Sequence, residues 1–185
     1  MKYKFIDTPV KYDGRQLSSH FAYRSFGLSG DSIVAFVGPV DVKLTEMKDI
    51  EDVLALEPIS SDSMLNFIIE VFDQDLKATI WMQRLLIATI QDELNTVAEG
   101  VTVERRGNDL YFNDRKLSVS IATASPVSTL VHIGINVSGQ GAPIPVSSLQ
   151  ELGVEAREFG ESILKRFSDE FDEVQFARVK VDWVK

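Results

Sequence analysis

The sequence predicts an α+β domain, with helices packed on a mainly antiparallel sheet. Three observations predict it. One long amphipathic segment, residues 75–98, carries apolar residues at helical spacing. The stretch after it, residues 101–137, changes to a two-residue period broken by tight turns. Helical and strand-like segments are therefore segregated rather than strictly alternating.

The elements follow in order. Residues 33–37 form a short β-rich run between Gly30-Asp31 and Gly38-Pro39, both turn signals, and residues 42–44 extend or follow it. Residues 45–54 read as a short polar helix or loop, and residues 64–72 as a buried strand. Asp73 is the expected N-cap of the long helix. Leu76, Ile80, Ile87, Ile90, Leu94 and Val97 make its apolar stripe, widened by Trp81, Leu85 and Ala88, and Gly100 ends it. A meander follows: residues 101–105, residues 109–112 after a Gly-Asn-Asp turn, and residues 116–123 after Asn113-Asp114. Residues 130–137 are more apolar than alternating, which suits a central strand. Pro143 and Pro145 mark a loop, and residues 146–152 read as a short Ser-capped helix. Residues 155–171 read as a second helix with Phe159, Ile163, Phe167 and Phe171 inward, and residues 174–184 as an edge strand.

Composition bounds the function. At 185 residues the chain suits a single domain, residues 1–185. It has 19 Lys and Arg against 28 Asp and Glu, a net charge of −9, which argues against a nucleic-acid or anionic-membrane partner. It has no cysteine, which excludes disulfides, thiol nucleophiles and thiolate metal sites. Two histidines, His20 and His132, cannot build a multi-histidine metal centre. No apolar run approaches a signal sequence or a membrane span, so a cytoplasmic protein is expected.

The informative stretch is Arg105-Arg106-Gly107-Asn108-Asp109, then Lys116 after the hairpin turn, then His132-Ile133-Gly134-Ile135-Asn136-Val137. Singly, an Asn-Asp pair is a turn, a lysine is a surface residue and Gly-Ile-Asn-Val is a buried strand. In this order they resemble the biotin and lipoate protein ligase superfamily. Those enzymes carry a Lys-Trp-Pro-Asn-Asp segment entering a hairpin, a lysine opening the next strand and a Gly-Ile-Asn-Val run. The sequence also looks like a small uncharacterised prokaryotic family placed near those ligases. The segments from His20 to Gly27 and from Gly30 to Phe36 carry that likeness.

The resemblance implies a ligase-like core without a C-terminal accessory domain. It implies a carboxylic acid activated by ATP with Mg²⁺, no structural metal, an acceptor protein and a homodimer. Lys116 would offset the repulsion between a carboxylate and the α-phosphate. Asn108 and Asp109 would orient nucleotide or acid, Arg105 stands where the family has its first lysine, and Gly134 and Asn136 would line or brace the ligand. Arg24, in Tyr23–Asp31, would hold phosphate. That segment has one arginine where the ligases have a Gly- and Arg-rich loop, and Arg106-Gly107 replaces Trp-Pro. His132 is read as a pocket or core histidine and His20 as a neighbour of the same pocket. A non-catalytic binder of a small carboxylate or nucleotide is the alternative function, and a structural homodimer paired through a sheet edge is a third.

Overall fold

The computed structural model describes residues 1–184. Five strands form the main sheet in the order β1-β2-β3-β8-β7. They are β1 (Lys2–Ile6), β2 (Ser32–Val42), β3 (Ile59–Val71), β7 (Ser118–Ala124) and β8 (Thr129–Asn136). All neighbours are antiparallel except β1 and β2, which are parallel. A small second sheet holds β4 (Glu104–Arg106), β5 (Asp109–Phe112) and β6 (Arg115–Lys116). The helices are α1 (Phe21–Phe26), α2 (Ile50–Ala55), α3 (Leu76–Val97) and α4 (Ala156–Val179). This is the expected α+β arrangement.

Strand alternation sorts the core into two layers. On one face, Ile33, Leu65, Phe67, Ile69, Val131 and Ile133 meet α3 and α4 through Leu86, Ile90, Leu94, Phe159, Ile163 and Phe167. On the other, Val34, Phe36, Met64 and Ile68 are covered by the N-terminal segment through Tyr12, Leu17 and Ala22. That segment runs tightly against β2. Tyr12 donates its N–H to Pro39 O at 2.9 Å and accepts one from Asp41 at 3.0 Å. Gly38 permits the approach, because a Cβ there would lie 2.0 Å from Val10 O.

Several elements differ from the sequence reading. Asp75, not Asp73, caps α3, its carboxylate accepting the Ala78 N–H at 2.7 Å; Asp73 sits in the preceding turn at φ 59°. The buried line of α3 runs through Thr79, Met82, Gln83, Leu86, Ile87, Ile90 and Leu94. Leu76, Ile80, Leu85 and Val97 are exposed, and Trp81 is 68% exposed, so the apolar stripe is rotated from the expected one. The helix has apolar residues on two sides, and periodicity alone cannot choose between them. Residues 146–152 are not a helix, because their amides bond outward: Ser147 to Lys116 O, Leu149 to Asn136 O and Gln150 to Val137 O, at 2.8–3.1 Å. The strand expected at 174–184 is absent, and α4 runs on to Val179, with Val174, Phe176 and Val179 exposed. The sheet edge beside β2 is taken by β1, which the sequence reading did not anticipate, nor did it anticipate α1. No helix among the described residues is long and apolar enough to cross a membrane.

On the face opposite α3 and α4, β3 and β8 carry an inward polar group. Asn66 Nδ2 donates to Met64 O at 3.0 Å, which turns its Oδ1 toward His132 Nε2, also at 3.0 Å. His132 therefore carries its proton on Nε2. The Tyr12 ring stacks on the imidazole at 3.7 Å between centroids and 15° between planes. Burial pushes the His132 pKa down to about 3, and burial, helped by Asp13, pushes the Tyr12 phenol up. Both side chains are neutral at physiological pH.

Two consequences are measurable. Gly38→Ala drives a methyl into Val10 O and should destabilise the fold by about 1–3 kcal/mol or more, read as a lower urea midpoint at constant slope. His132 makes stability pH-dependent. Unfolded, it takes up a proton near its ordinary pKa of 6.5; folded, it resists until about 3. Its contribution is full above the unfolded value and is lost as pH falls. Urea unfolding between about pH 6 and about pH 5 should lose ~1.4 kcal/mol per pH unit from this group, before carboxylates begin to titrate.

Candidate functional site

The strand expected at 116–123 is broken at Leu117, and that break builds the site. Lys116 pairs with Tyr111 in the small sheet, whereas Ser118 pairs with Ile135 in the main one. Leu117 joins them. It donates its N–H to Leu110 O at 2.8 Å and accepts the Asn136 N–H at 3.0 Å. Lys116 is thereby set at the junction of the two sheets, beside the C-terminal end of β8.

There a cavity of about 650 Å³ opens on the sheet face opposite α3 and α4. Lys116, Asn108, Asp109, Asn136 and His132 line it, together with Tyr12, the 46–60 segment and the 142–146 loop. Lys116 Nζ lies 3.0 Å from Asp109 Oδ2 and keeps 37% of its side chain exposed. Asn136 Nδ2 donates to Ser147 O at 3.1 Å and reaches Lys116 O at 3.4 Å, so it ties the 142–149 loop to the lysine backbone. Asn108 Nδ2 donates to Ser120 O and Oγ at 3.2 and 3.1 Å, while Ser120 Oγ donates back to Asn108 O and accepts from Gln83 Nε2. That network anchors the β4–β5 turn on β7 and α3. Gly134 is on the same face but below the surface. A Cβ there would meet Met64 Cε at 2.9 Å and Val119 Cγ2 at 3.2 Å, so glycine lets the apolar floor close.

The other residues singled out from the sequence lie elsewhere. Arg24 is exposed on α1, away from the cavity. The glycine-bearing loop after α1 is tied to the far end of the sheet: Asp31 accepts the Phe72 N–H at 2.9 Å, and Lys2 Nζ donates to Ser29 at 3.0 Å. His20 is not in the cavity; its N–H donates to buried Glu70 at 2.7 Å and its ring rests against Phe72. Arg105 points to the opposite surface, in a groove with Trp81 and Arg84, and donates to Gly107 O at 3.0 Å.

The cavity wall is acidic. Glu46, Asp49, Glu51, Asp52 and Glu57 stand on it against Lys48 and Lys116. Burial, then Asp49, pushes the Asp52 pKa up; Lys116 opposes this, which places Asp52 within the field of the Lys116–Asp109 pair. Sequence reasoning missed Tyr12, Asp52 and Asn66. Asn66 left a signal, as a polar residue inside the apolar run 64–69. Tyr12 and Asp52 left none, since Tyr12 sits in a connection and Asp52 is one of several acids on the short polar helix α2.

Known proteins bear on this geometry. A family model described as "Domain of unknown function (DUF366)" matches residues 1–182. An uncharacterized protein of Methanocaldococcus jannaschii is 36% identical over 156 residues, 81% of this chain and 70% of that protein. A protein of unknown function from Pyrococcus horikoshi superposes with a TM-score of 0.94 at 41% identity, covering 100% of this chain and 99% of the other. The biotin protein ligase of Aquifex aeolicus in complex with biotin and ATP matches with a TM-score of 0.61 at 18% identity, over 93% of this chain and 71% of the ligase. A lipoate-protein ligase A bound with ATP matches with a TM-score of 0.57 at 13% identity, over 92% and 85%. The expected fold likeness holds. The chain has the fold of the biotin and lipoate protein ligases and belongs to the DUF366 family, a family of unknown function.

Proposed function

We propose that the protein binds a small carboxylic acid in the cavity beside Lys116 and joins it to ATP as an acyl-adenylate for transfer to an acceptor protein. The observation that carries this reading is the convergence of Asn108, Asp109, Lys116 and Asn136 on one cavity within a ligase-like fold. In the reaction a carboxylate oxygen attacks the α-phosphorus, the bond to the bridging oxygen breaks and pyrophosphate leaves. The attack brings two anions together. Lys116, a compact cation held by Asp109 and by the Leu117 backbone, offsets that repulsion where charge accumulates. Asp109 sets the direction of the ammonium, and Asn136 braces the strand that presents it. The described residues contain no group of three or more His, Asp or Glu placed to hold a metal. Mg²⁺ would enter with the nucleotide phosphates, as it commonly does.

A second reading, binding without turnover, is favoured by one observation: Arg24 and its loop stand away from the cavity, so phosphate has no basic loop from that side. ATP–pyrophosphate exchange across a panel of acids (biotin, lipoate, octanoate and amino acids) separates the two. Ligase chemistry predicts exchange dependent on one acid. Lys116→Ala should lower that exchange by ~10²–10³-fold. Its melting temperature should stay within a few degrees, because a half-exposed ion pair contributes only ~0–1 kcal/mol. Intact exchange in that variant would sink the role of Lys116. A Lys116-dependent rise in melting temperature with an acid, and no exchange with any, would establish the binder instead.

A further inference from the structure

The floor of the cavity holds two polar atoms that the fold does not use. His132 is 3% exposed, and its Nε2–H is committed to Asn66 Oδ1. That leaves Nδ1 as a bare lone pair, and no described residue donates to it. Tyr12 is equally buried, and its hydroxyl likewise has no protein partner among the described residues. Neither atom is sealed inside. Among the described residues the fully enclosed side-chain atom without a partner is Ser32 Oγ. The surface that His132 and Tyr12 retain opens onto the cavity they line.

The surroundings define what would sit there. His132 lies four residues along β8 from Asn136, roughly 13 Å of strand, so the two line different stretches of the cavity. Met64, Val119 and Ile121 supply the apolar wall between. Asp52, on the cavity wall, feels both Lys116 and Asp109. Burial is what lowers the His132 pKa. An ammonium placed against His132 would have to shed its water there. A plain methyl terminus would leave the lone pair unmet. A neutral donor satisfies it.

We propose that the cavity takes a medium-chain carboxylic acid whose far end carries a neutral O–H or N–H donor, and that His132 Nδ1 is the acceptor that selects it. The proposal rests on the carboxylate reading above and adds the chemical class of the acid. Tyr12 holds the imidazole flat by stacking, and Asn66 fixes its tautomer; both are positioning residues.

Isothermal calorimetry with octanoate and with its ω-hydroxy and ω-carboxamide derivatives tests it on the whole chain. Either derivative should bind wild-type protein about tenfold tighter than octanoate, the increment of one buried hydrogen bond. His132→Phe keeps a flat ring against Tyr12 and should erase that preference. Nitrogen NMR gives a readout that needs no variant. On adding a derivative the His132 Nδ1 resonance should move upfield while Nε2 stays protonated, with His20 as the unperturbed internal reference. Equal affinities, or an unmoved Nδ1, with binding that still depends on Lys116, would overturn this proposal alone. No binding by any acid, or binding that survives Lys116→Ala, would overturn the carboxylate reading and this one with it.

Discussion

One residue, Leu117, couples the two sheets, and the cavity depends on that coupling. Its N–H serves the small sheet through Leu110 O, and its carbonyl serves the main sheet through the Asn136 N–H. Its side chain is fully buried, as is that of Leu110. A strand that keeps both its backbone groups paired while changing partner must bend, because the two ladders run in different planes. The bend sends Lys116 to one sheet and Ser118 to the other. Lys116 therefore projects from a position with little freedom, across from Asp109 on the strand it pairs beside. A lysine on a free hairpin would spend conformational entropy on every encounter with a ligand; this one has most of its backbone freedom removed in advance.

The electrostatics of the cavity follow from this placement. Lys116, paired with Asp109 on a wall that carries Lys48 and several carboxylates, does not make a general anion sink. It makes a local one, within an ion pair, flanked by repulsion. Such an arrangement rejects a small free anion that approaches from the wrong side and accepts one whose carboxylate is delivered to the ammonium by contacts further along the ligand. The uncharged floor formed by Tyr12, His132, Met64 and Val119 is the surface able to make those contacts. The burial that keeps His132 and Tyr12 neutral also makes their unpaired polar atoms costly to leave unmet, so the proposed specificity would rest on the same two side chains as part of the stability.

How far the sequence could disclose all this varies by residue. Asn108-Asp109, Lys116 and Gly134–Asn136 were legible because the features that identify them are local: a turn, a strand start and a strand end with fixed spacing. Their convergence was legible only through resemblance. Asn136 turned out to brace the loop at Ser147 and the Lys116 carbonyl, a role that long-range hydrogen bonds decide and spacing cannot. The expected stripe of α3 holds at Ile87, Ile90 and Leu94 and fails at Leu76, Ile80, Trp81, Leu85 and Val97, because the exposed face is also apolar. Residues 174–184 read as a strand because Val, Phe and Trp favour sheets; with β1 and β7 on the two sheet edges, the helix continued instead. Tyr12 was illegible because its position is set by backbone bonds to Pro39 and Asp41, distant in sequence and permitted by the missing side chain of Gly38.

The two halves that the proposed ligase site requires are physically separable in this fold. The half proposed to bind the acid is built on β5 and β6 of one sheet and β8 of the other, joined through the Leu117 backbone bonds to Leu110 and Asn136. The phosphate-binding half, by resemblance, would come from the loop bearing Arg24. Here that loop is fastened at the opposite end of β3. The His20 N–H bonds Glu70, Glu70 also accepts the Ser128 hydroxyl, and Asp31 caps the Phe72 N–H. Bringing Arg24 to Lys116 would strain the His20 and Asp31 bonds and leave the Glu70 carboxylate, 3% exposed, with the Ser128 hydroxyl as its remaining side-chain donor. Removing a donor from a buried carboxyl group costs at least the ~1 kcal/mol of an ordinary hydrogen bond. A nucleotide would have to supply that cost through contacts made only after the loop moved. A carboxylic acid needs no such rearrangement, since the groups that would hold it already stand in place.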